Sequence, residues 1–470
     1  MAVLMERRPH VRYDLERLEE SLVRLLGSEN VSRGRPAIER HSFDALRPSR
    51  GFPVPPRGFP PDVVVTPRST AQVVAVVELA KERRVPLVPW GAGTGLMGGA
   101  EAVDGGVTVD LSRMSRVLRF ERAERTVEVE SGATIGAVNR YLLREGFFLA
   151  HDPWTRDFAT VGGAISTNGM GYLGTRYGTM GDQVLGLQVV LPDGSVLQTE
   201  PLPARSGFHL NGLFVGTEGC FGLITRATLR CYPKPQREVH LAFEFKDFER
   251  AFRAAIEVDE LEITALDMLG TGRRPECELH VTIAGRRGGD ARLKAERCLR
   301  ALRSRGGRPL SHRRAQAYWD RRHRAAEEYV KKVSESPLDD GRAPGSFDYL
   351  HVAVPLASML GFWEVAKTIV RDKGLTIDTY GIYCHPGLFS LSLERRDEGA
   401  PPENLEAAVD QIVEEAVRRG GYLEFVHGIG VRYARLQKVQ NGQGQSLVVR
   451  MKRCLDPEGI MNPGKLGPVF

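Results

Sequence analysis

Five glycines within nine residues, Gly91, Gly93, Gly95, Gly98 and Gly99, are the stretch of this sequence with the clearest chemical capacity. Glycine tolerates φ > 0 and has no Cβ to hold the backbone away, so such a loop can turn successive N–H groups onto an anionic phosphate. The flanks decide what kind of phosphate binder this is. Val85, Leu87 and Val88 predict a strand that stops at Pro89, and Val107 to Leu111 after Gly105-Gly106 predicts a second strand. A Rossmann unit would start a helix at the second or third glycine, and a P-loop would end in Gly-Lys-Ser/Thr. Neither pattern occurs, which leaves a phosphate cradle between two strands or a plain glycine-rich hairpin.

A second stretch, HDPWTRDFATVGGAISTNGMGYLGTRYG from His151, carries six glycines between Gly162 and Gly178 with apolar residues threaded through it. Ordering so much glycine is entropically costly, and it makes sense where backbone must approach a flat, bulky ligand. The six cysteines (Cys220, Cys231, Cys277, Cys298, Cys384, Cys454) form no CxxC pair, so neither a zinc site nor a disulfide framework is indicated.

Elements that position these stretches can be read in order. At 470 residues the chain suggests two or three domains, and 42% hydrophobic with 26% charged residues is ordinary for a globular protein. The net charge of +6 is spread among acidic residues without a basic stripe interleaved with aromatics. Nucleic acid is therefore not argued for, and small anionic substrates suit the balance equally well. No run of about 18 apolar residues and no apolar leader is seen, so the expectation is a cytoplasmic protein without an integral membrane segment. Asp14 caps a helix with Leu15, Leu18, Leu22, Leu25 and Leu26 on one face; Gly27 to Pro61 reads as irregular. DVVVTP is a strand, followed by a helix expected to be capped by Thr70. TVEVES alternates as a strand, IGAVNRYLLREG is a helix, and two strands flank the Asp193-Gly194 turn. Beyond Pro233 strands and helices alternate to about residue 410, and NLEAAVDQIVEEAVRRG is an amphipathic packing helix.

These segments in this order resemble the FAD-linked oxidase family of the vanillyl-alcohol oxidase and p-cresol methylhydroxylase superfamily, in its glycolate oxidase D subunit and D-lactate dehydrogenase branch. PWGAGTGLMGGA resembles its pyrophosphate loop and ATVGGAISTNGMG its flavin-embracing segment. RYGTMGDQVLGLQVVLPDG, TEGCFGLIT, HGIG (His427 to Gly430) and LDPEGIMNPGK complete the pattern. The resemblance implies an α+β fold: a lead-in over residues 1–55, a two-part FAD-binding domain of the p-cresol methylhydroxylase type over 56–234, an α+β cap over 235–410 and a C-terminal segment, 411–470, returning to the flavin. It places Pro89, Gly91, Ala92, Gly93, Thr94, Gly95 and Leu96 on the pyrophosphate. Pro153, Thr160, Val161, Gly162, Gly163 and Asn168 would run along the flavin. Gly171, Tyr177, Gly178, Asp182, Glu218, Gly222, Ile224 and Thr225 would complete the cleft, with Asn462 touching the ring. No histidine or cysteine stands at the covalent attachment positions of relatives, so FAD is expected to be non-covalent.

The same resemblance implies oxidation of a CH–OH carbon, most simply of a D-2-hydroxy acid such as lactate or glycolate, by hydride transfer to flavin N5. Arg322, by its Trp-x-x-Arg spacing, would grip the substrate carboxylate. His427, as a neutral imidazole, would take the hydroxyl proton. Relatives that bind a divalent metal have histidines where this chain has Ile382 and Phe389, and a glutamate where it has Val426. No metal is therefore expected, and His385 with Cys384 does not make a convincing site. Tyr349 and His351 replace Lys and Asp of acid-handling relatives. The alternatives are an aromatic alcohol or 4-alkylphenol oxidase using Tyr380, Tyr383, Tyr422 or Tyr433, and a non-redox enzyme like alkyl-dihydroxyacetone-phosphate synthase. A homodimer or a separate electron-accepting protein are the partners left open.

Overall fold

The computed structural model describes residues 13–46, 50, 60–199, 207–285, 288–335, 345–395 and 401–467. Most of the N-terminal stretch read as lacking a leader, and residues 51–55 of the lead-in, lie outside them.

Two sheets build the N-terminal half. Val31–Ser32 (β1), Val63–Val65 (β2), Leu87–Trp90 (β3) and Val107–Asp110 (β4) form the first, in the order β1-β2-β4-β3, with β2, β4 and β3 parallel. The glycine loop thus joins two neighbouring parallel strands, which a hairpin cannot do. β3 runs through Pro89 to Trp90 instead of stopping at it. It is an edge strand, where proline's missing N–H costs nothing, and the C-terminal segment adds to that edge only at Leu87, which bonds Ile460 and Asn462. Val117–Glu121 (β5), Thr126–Glu130 (β6), Val184–Val190 (β7), Val196–Gln198 (β8) and Leu223–Arg230 (β9) form the second sheet, in the order β5-β6-β9-β7-β8.

Helices cover these sheets as their periodicity requires. Asp14 Oδ1 accepts the N–H groups of Glu16 and Arg17, and the helix Leu15–Leu26 buries Leu18, Leu22 and Leu26. Thr70 is the first helical residue, not the cap. Ser69 takes the Gln72 N–H, and the Thr70 hydroxyl is left to donate to Gln188 Oε1 at 2.8 Å. The stretch read as irregular contains a helix, Arg35–Ser42, which begins Arg-Pro because proline fits the first turn.

The cap is one seven-stranded antiparallel sheet. Its strands are Arg237–Phe245 (β10), Ala265–Thr271 (β11), Arg274–Gly285 (β12), Arg308–Pro309 (β13), Phe347–Ala353 (β14), Thr376–Tyr383 (β15) and Leu388–Glu394 (β16), in the order β13-β10-β12-β11-β15-β16-β14. One face packs against helices and forms the largest core, with Leu266, Met268, Leu350, Val352, Ile382, Phe389 and Leu391. Alternation sends Asp267, Tyr349, His351, Tyr383, Ser390 and Ser392 to the opposite face, toward the N-terminal half. The helix Glu403–Arg418 buries Leu405, Val409, Ile412, Val413 and Ala416 and packs on β14 and the helix Met359–Asp372. It runs straight through residue 410, the expected boundary, and so stays with the cap.

Candidate functional site

A cavity of about 750 Å³ lies between the two halves. Its floor is the glycine loop: Pro89, Gly91, Ala92, Gly93, Thr94, Gly95 and Leu96 all line it. Gly93 has φ +65°, and a Cβ there would stand 2.3 Å from the Trp90 ring. Among the described residues, the backbone N–H groups of Ala92 to Leu96 donate to no protein acceptor. A row of free N–H groups in a glycine-rich turn can donate to phosphate oxygens. Pro153, Thr160, Gly162, Gly163, Glu218, Gly222 and Ile224 continue the wall, and the Ser131 hydroxyl beside them is buried without a partner. Thr160 caps the helix Val161–Ser166 by accepting the Gly163 N–H at 3.2 Å, so this helix opens at the wall.

Other residues expected at the cofactor stand behind the wall and hold it. Val161 is in the core. Asn168 accepts the Gly181 N–H, the Gly171 carbonyl accepts the Cys384 thiol, and Asp182 accepts from Thr179. Tyr177 packs on Tyr232, with ring centroids 4.6 Å apart, and Gly178 ends its short helix. The Thr225 hydroxyl bonds Gln188. Asn462 is fully buried, and its Nδ2 donates to the carbonyls of Gly99 at 2.9 Å and Glu218 at 2.6 Å. It fastens the glycine loop to the 217–222 turn from behind rather than facing the cavity.

His427 lines the cavity beneath β14. Its loop is shaped by two buried carboxylates that the sequence reading did not assign to it. Glu424 Oε1 accepts the N–H groups of Phe425, Val426 and His427, and lies 3.6 Å from His427 Nδ1. Glu218 accepts the N–H groups of Ile429 and Gly430, each at 2.9 Å. Gly430 has φ +52°, and a Cβ there would meet the Met97 carbonyl at 1.8 Å, so the HGIG turn sits directly on the glycine loop. Burial pushes the Glu218 carboxyl up to about 7 against the pull of these N–H groups and Lys465. His351 stands 4.8 Å from His427, centroid to centroid, and its Nδ1 pairs with the Ser390 hydroxyl at 2.6 Å. Burial, reinforced by the charges of His427 and Arg50, drives its pKa well below the ordinary histidine value.

Arg322 is not on the cavity wall. Its Nε donates to Asp152 Oδ2 at 2.8 Å and its Nη1 to the Trp319 carbonyl, and both carboxylate and guanidinium are largely buried. The cationic Lys and Arg side chains among the described wall residues are Lys332 and Arg50. Arg50 is consumed by Asp348 and by the carbonyls of Leu96 and Tyr349, with its guanidinium 3.7 Å above the Tyr349 ring.

The cap register shows where the positions compared with metal ligands lie. Ile382 and Phe389 are opposite one another on β15 and β16, and both side chains belong to the helix-covered core; Phe389 packs on Phe248, Phe362 and Trp363. Ile382 nevertheless borders the cavity together with its neighbours Gly381, Tyr383, Ser390 and Ser392, as does Val426, whereas Phe389 does not. His385 is half exposed near Asp259. No three His, Cys, Asp or Glu side chains converge as a metal-binding group among the described residues. Tyr422 is 61% exposed and Tyr433 is buried in the cap core, whereas Tyr172, Tyr318, Tyr349 and Tyr383 line the cavity.

Comparisons with known proteins agree with this architecture. The FAD binding domain family matches residues 61–200, and the C-terminal domain of FAD linked oxidases matches residues 234–466. The chain is 30% identical over 454 residues to the mitochondrial D-lactate dehydrogenase [cytochrome] of Arabidopsis thaliana, covering 87% of this chain and 74% of that protein. It is 29% identical over 489 residues to a probable mitochondrial D-lactate dehydrogenase of Danio rerio, covering 96% and 92%. The crystal structure of an alkyldihydroxyacetonephosphate synthase superposes with a TM-score of 0.79 at 20% identity, over 99% of this chain and 88% of that one, which shows a shared fold. Among the described residues no helix is long and apolar enough to cross a membrane. A glycine cradle with free N–H groups between parallel strands, an antiparallel cap closing over it and both domain matches together make this chain a member of the FAD-linked oxidase family.

Proposed function

We propose that this protein oxidises the CH–OH carbon of a small alcohol or D-2-hydroxy acid, with His427 as the base and without a metal. Non-covalent FAD would be held by the Ala92–Leu96 N–H groups, Thr160, Gly162, Gly163 and the backbone around Gly222. Bound there, FAD supplies a two-electron acceptor for the hydride of the alcohol carbon. The observation that carries the reading is the placement of His427: a histidine on the cavity wall, in a turn tied by Glu218 to the cofactor half and seated on the glycine loop. It would take the hydroxyl proton as the C–H bond breaks, and Glu424 at 3.6 Å would stabilise the imidazolium formed. His351, kept neutral, would not compete for that charge.

Arg322 is committed to Asp152, so the substrate carboxylate would rely on Lys332 and on hydrogen bonds from Tyr349, Ser390 and Ser392. The reading therefore favours a substrate larger and less dominated by charge than lactate. A second reading, oxidation of an aromatic alcohol or 4-alkylphenol, draws support from Tyr172, Tyr318 and Tyr383 around Asp267 on the wall. Electrons would leave to dioxygen or to a separate acceptor in the cytoplasm. Anaerobic titration of the flavoprotein with D- and L-2-hydroxy acids, benzylic alcohols and 4-alkylphenols separates these readings by which class bleaches the flavin. A flavoprotein bleached by none of them would favour a non-redox role.

A further inference from the structure

The cap wall has a second pole that the proposed chemistry at His427 does not use. Asp267 on β11 lines the cavity, is 3% exposed, and its Oδ1 has no hydrogen-bond partner. An unpaired carboxylate oxygen is costly to bury, and this one faces a cavity rather than packed side chains. The groups around it come from every neighbouring element. Tyr383 lies opposite on β15 and His280 opposite on β12. The Tyr318 hydroxyl interacts with the carboxyl from the helix His312–Arg321, and its ring stacks on His280 with centroids 3.9 Å apart. Tyr172 comes from the glycine-rich segment, 5.4 Å from the Tyr383 ring; the buried thiol of Cys384 follows Tyr383, and the Asp152–Arg322 pair stands behind. Among the described residues Asp267 makes no ion pair: the Arg322 charge lowers its pKa from a distance, but that guanidinium is paired with Asp152. Burial accordingly pushes its carboxyl up to about 7.

Position matters as much as chemistry. β11 is separated from β14, which carries His351 beside His427, by β15 and β16. Three strand spacings put the two poles roughly 15 Å apart. A three-carbon hydroxy acid spans a fraction of that distance, so one small substrate cannot touch both.

Resting on the reading of this cavity as a CH–OH oxidation site, we propose that Asp267, with Tyr318, is a specificity site for the far end of an elongated substrate, accepting a neutral oxygen or amide group and rejecting a second carboxylate. As an acid it donates to a carbonyl or hydroxyl oxygen; as a carboxylate it accepts from a hydroxyl or amide N–H. A terminal carboxylate meets a buried group of the same sign, and the conflict deepens as Asp267 ionises.

The test uses the FAD-loaded protein and two matched pairs of probes whose chains reach from one pole to the other: D-2-hydroxydecanedioate with its 10-amide, compared by anaerobic flavin reduction, and the unreactive decanedioate with its monoamide, compared by calorimetric binding. The expected result is a preference for the amide of tenfold or more at pH 8.5 in both pairs, narrowing toward pH 6. Asp267→Asn should keep the fold and the flavin spectrum and make the preference independent of pH. Asp267→Leu should remove it. A preference whose size and pH profile are the same in wild type and both variants would overturn the proposal, as would tighter binding of decanedioate than of its monoamide. Wild-type protein that binds the decanedioate monoamide selectively but is bleached by neither hydroxy compound would contradict the oxidation reading while leaving the Asp267 site standing. If Asp267→Leu does not fold, Asp267→Asn and the wild-type pH profile decide.

Discussion

Glu218 and Gly430 are joined by two hydrogen bonds, the Gly430 N–H reaching Oε1 at 2.9 Å and Oε2 at 3.0 Å, across the junction between the cofactor half and the turn that carries His427. The Glu218 carboxyl titrates near 7, above its unfolded value of about 4.3. Between those values the native state holds a proton that the unfolded chain has lost, so this group makes stability fall as pH rises from about 4.3 to 7. Glu218→Gln keeps an acceptor for the two N–H groups and removes the titration. Its denaturation midpoint is expected to depend less on pH than that of wild type across this window, as measured by urea unfolding at several pH values; an unchanged slope would show that Glu218 ionises normally.

His427→Ala is expected to fold and retain flavin while slowing anaerobic flavin reduction by the true substrate by about 10²-fold or more, the usual loss on removing a positioned base. Stopped-flow absorbance reads this directly. Unchanged reduction would make His427 a structural residue of the HGIG turn and turn attention to Tyr349.

The Asp152–Arg322 pair is buried, and removing Arg322 takes one charge partner from a buried carboxylate that keeps His323 and Arg156. Arg322→Ala is expected to cost about 3–5 kcal/mol of stability, measured by chemical denaturation. The Asp152 carboxyl is held down to about 2 by His323 and Arg322 despite its burial. Its stabilising contribution is therefore complete above the unfolded value of about 3.9 and is lost as pH falls toward 2. A variant of wild-type stability with a selectively raised KM would instead restore Arg322 as a carboxylate ligand.

Gly93→Val should yield folded protein that takes up no FAD. The left-handed backbone and the Trp90 ring 2.3 Å from the added Cβ leave the loop no way to keep its N–H groups aimed into the cavity. Absorbance near 450 nm after reconstitution with FAD checks this, and circular dichroism confirms the fold.

Much of this architecture was legible because its signals are local. Glycine spacing between two apolar runs marked the loop that lines the cavity, and alternation and amphipathic periods marked the cap strands and helices. What escaped were relations between distant segments. Arg322 carries a recognisable spacing, but only the fold shows that Asp152, 170 residues away, already occupies it. The letters of Ile382 and Phe389 do not show which side each takes, because a shift of one residue in an antiparallel strand exchanges cavity and core; the fold puts Phe389 in the core and Ile382 at the border of both. Glu424 stands in plain view in EFVHG. Its role depends on a turn that folds the carboxylate back onto three N–H groups, which the letters do not show. Asp267 sits in an ordinary strand pattern, and only the cavity distinguishes it from a surface acid.

The most direct test of the account is anaerobic mixing of the purified flavoprotein with a graded series of D-2-hydroxy acids and alcohols while the flavin band is followed. The account predicts acid-releasable FAD that is bleached by at least one CH–OH donor, faster for a donor longer than lactate, and in protein treated with EDTA. Colourless protein that takes up no FAD, or a flavin left oxidised by every CH–OH donor in the series, would contradict it.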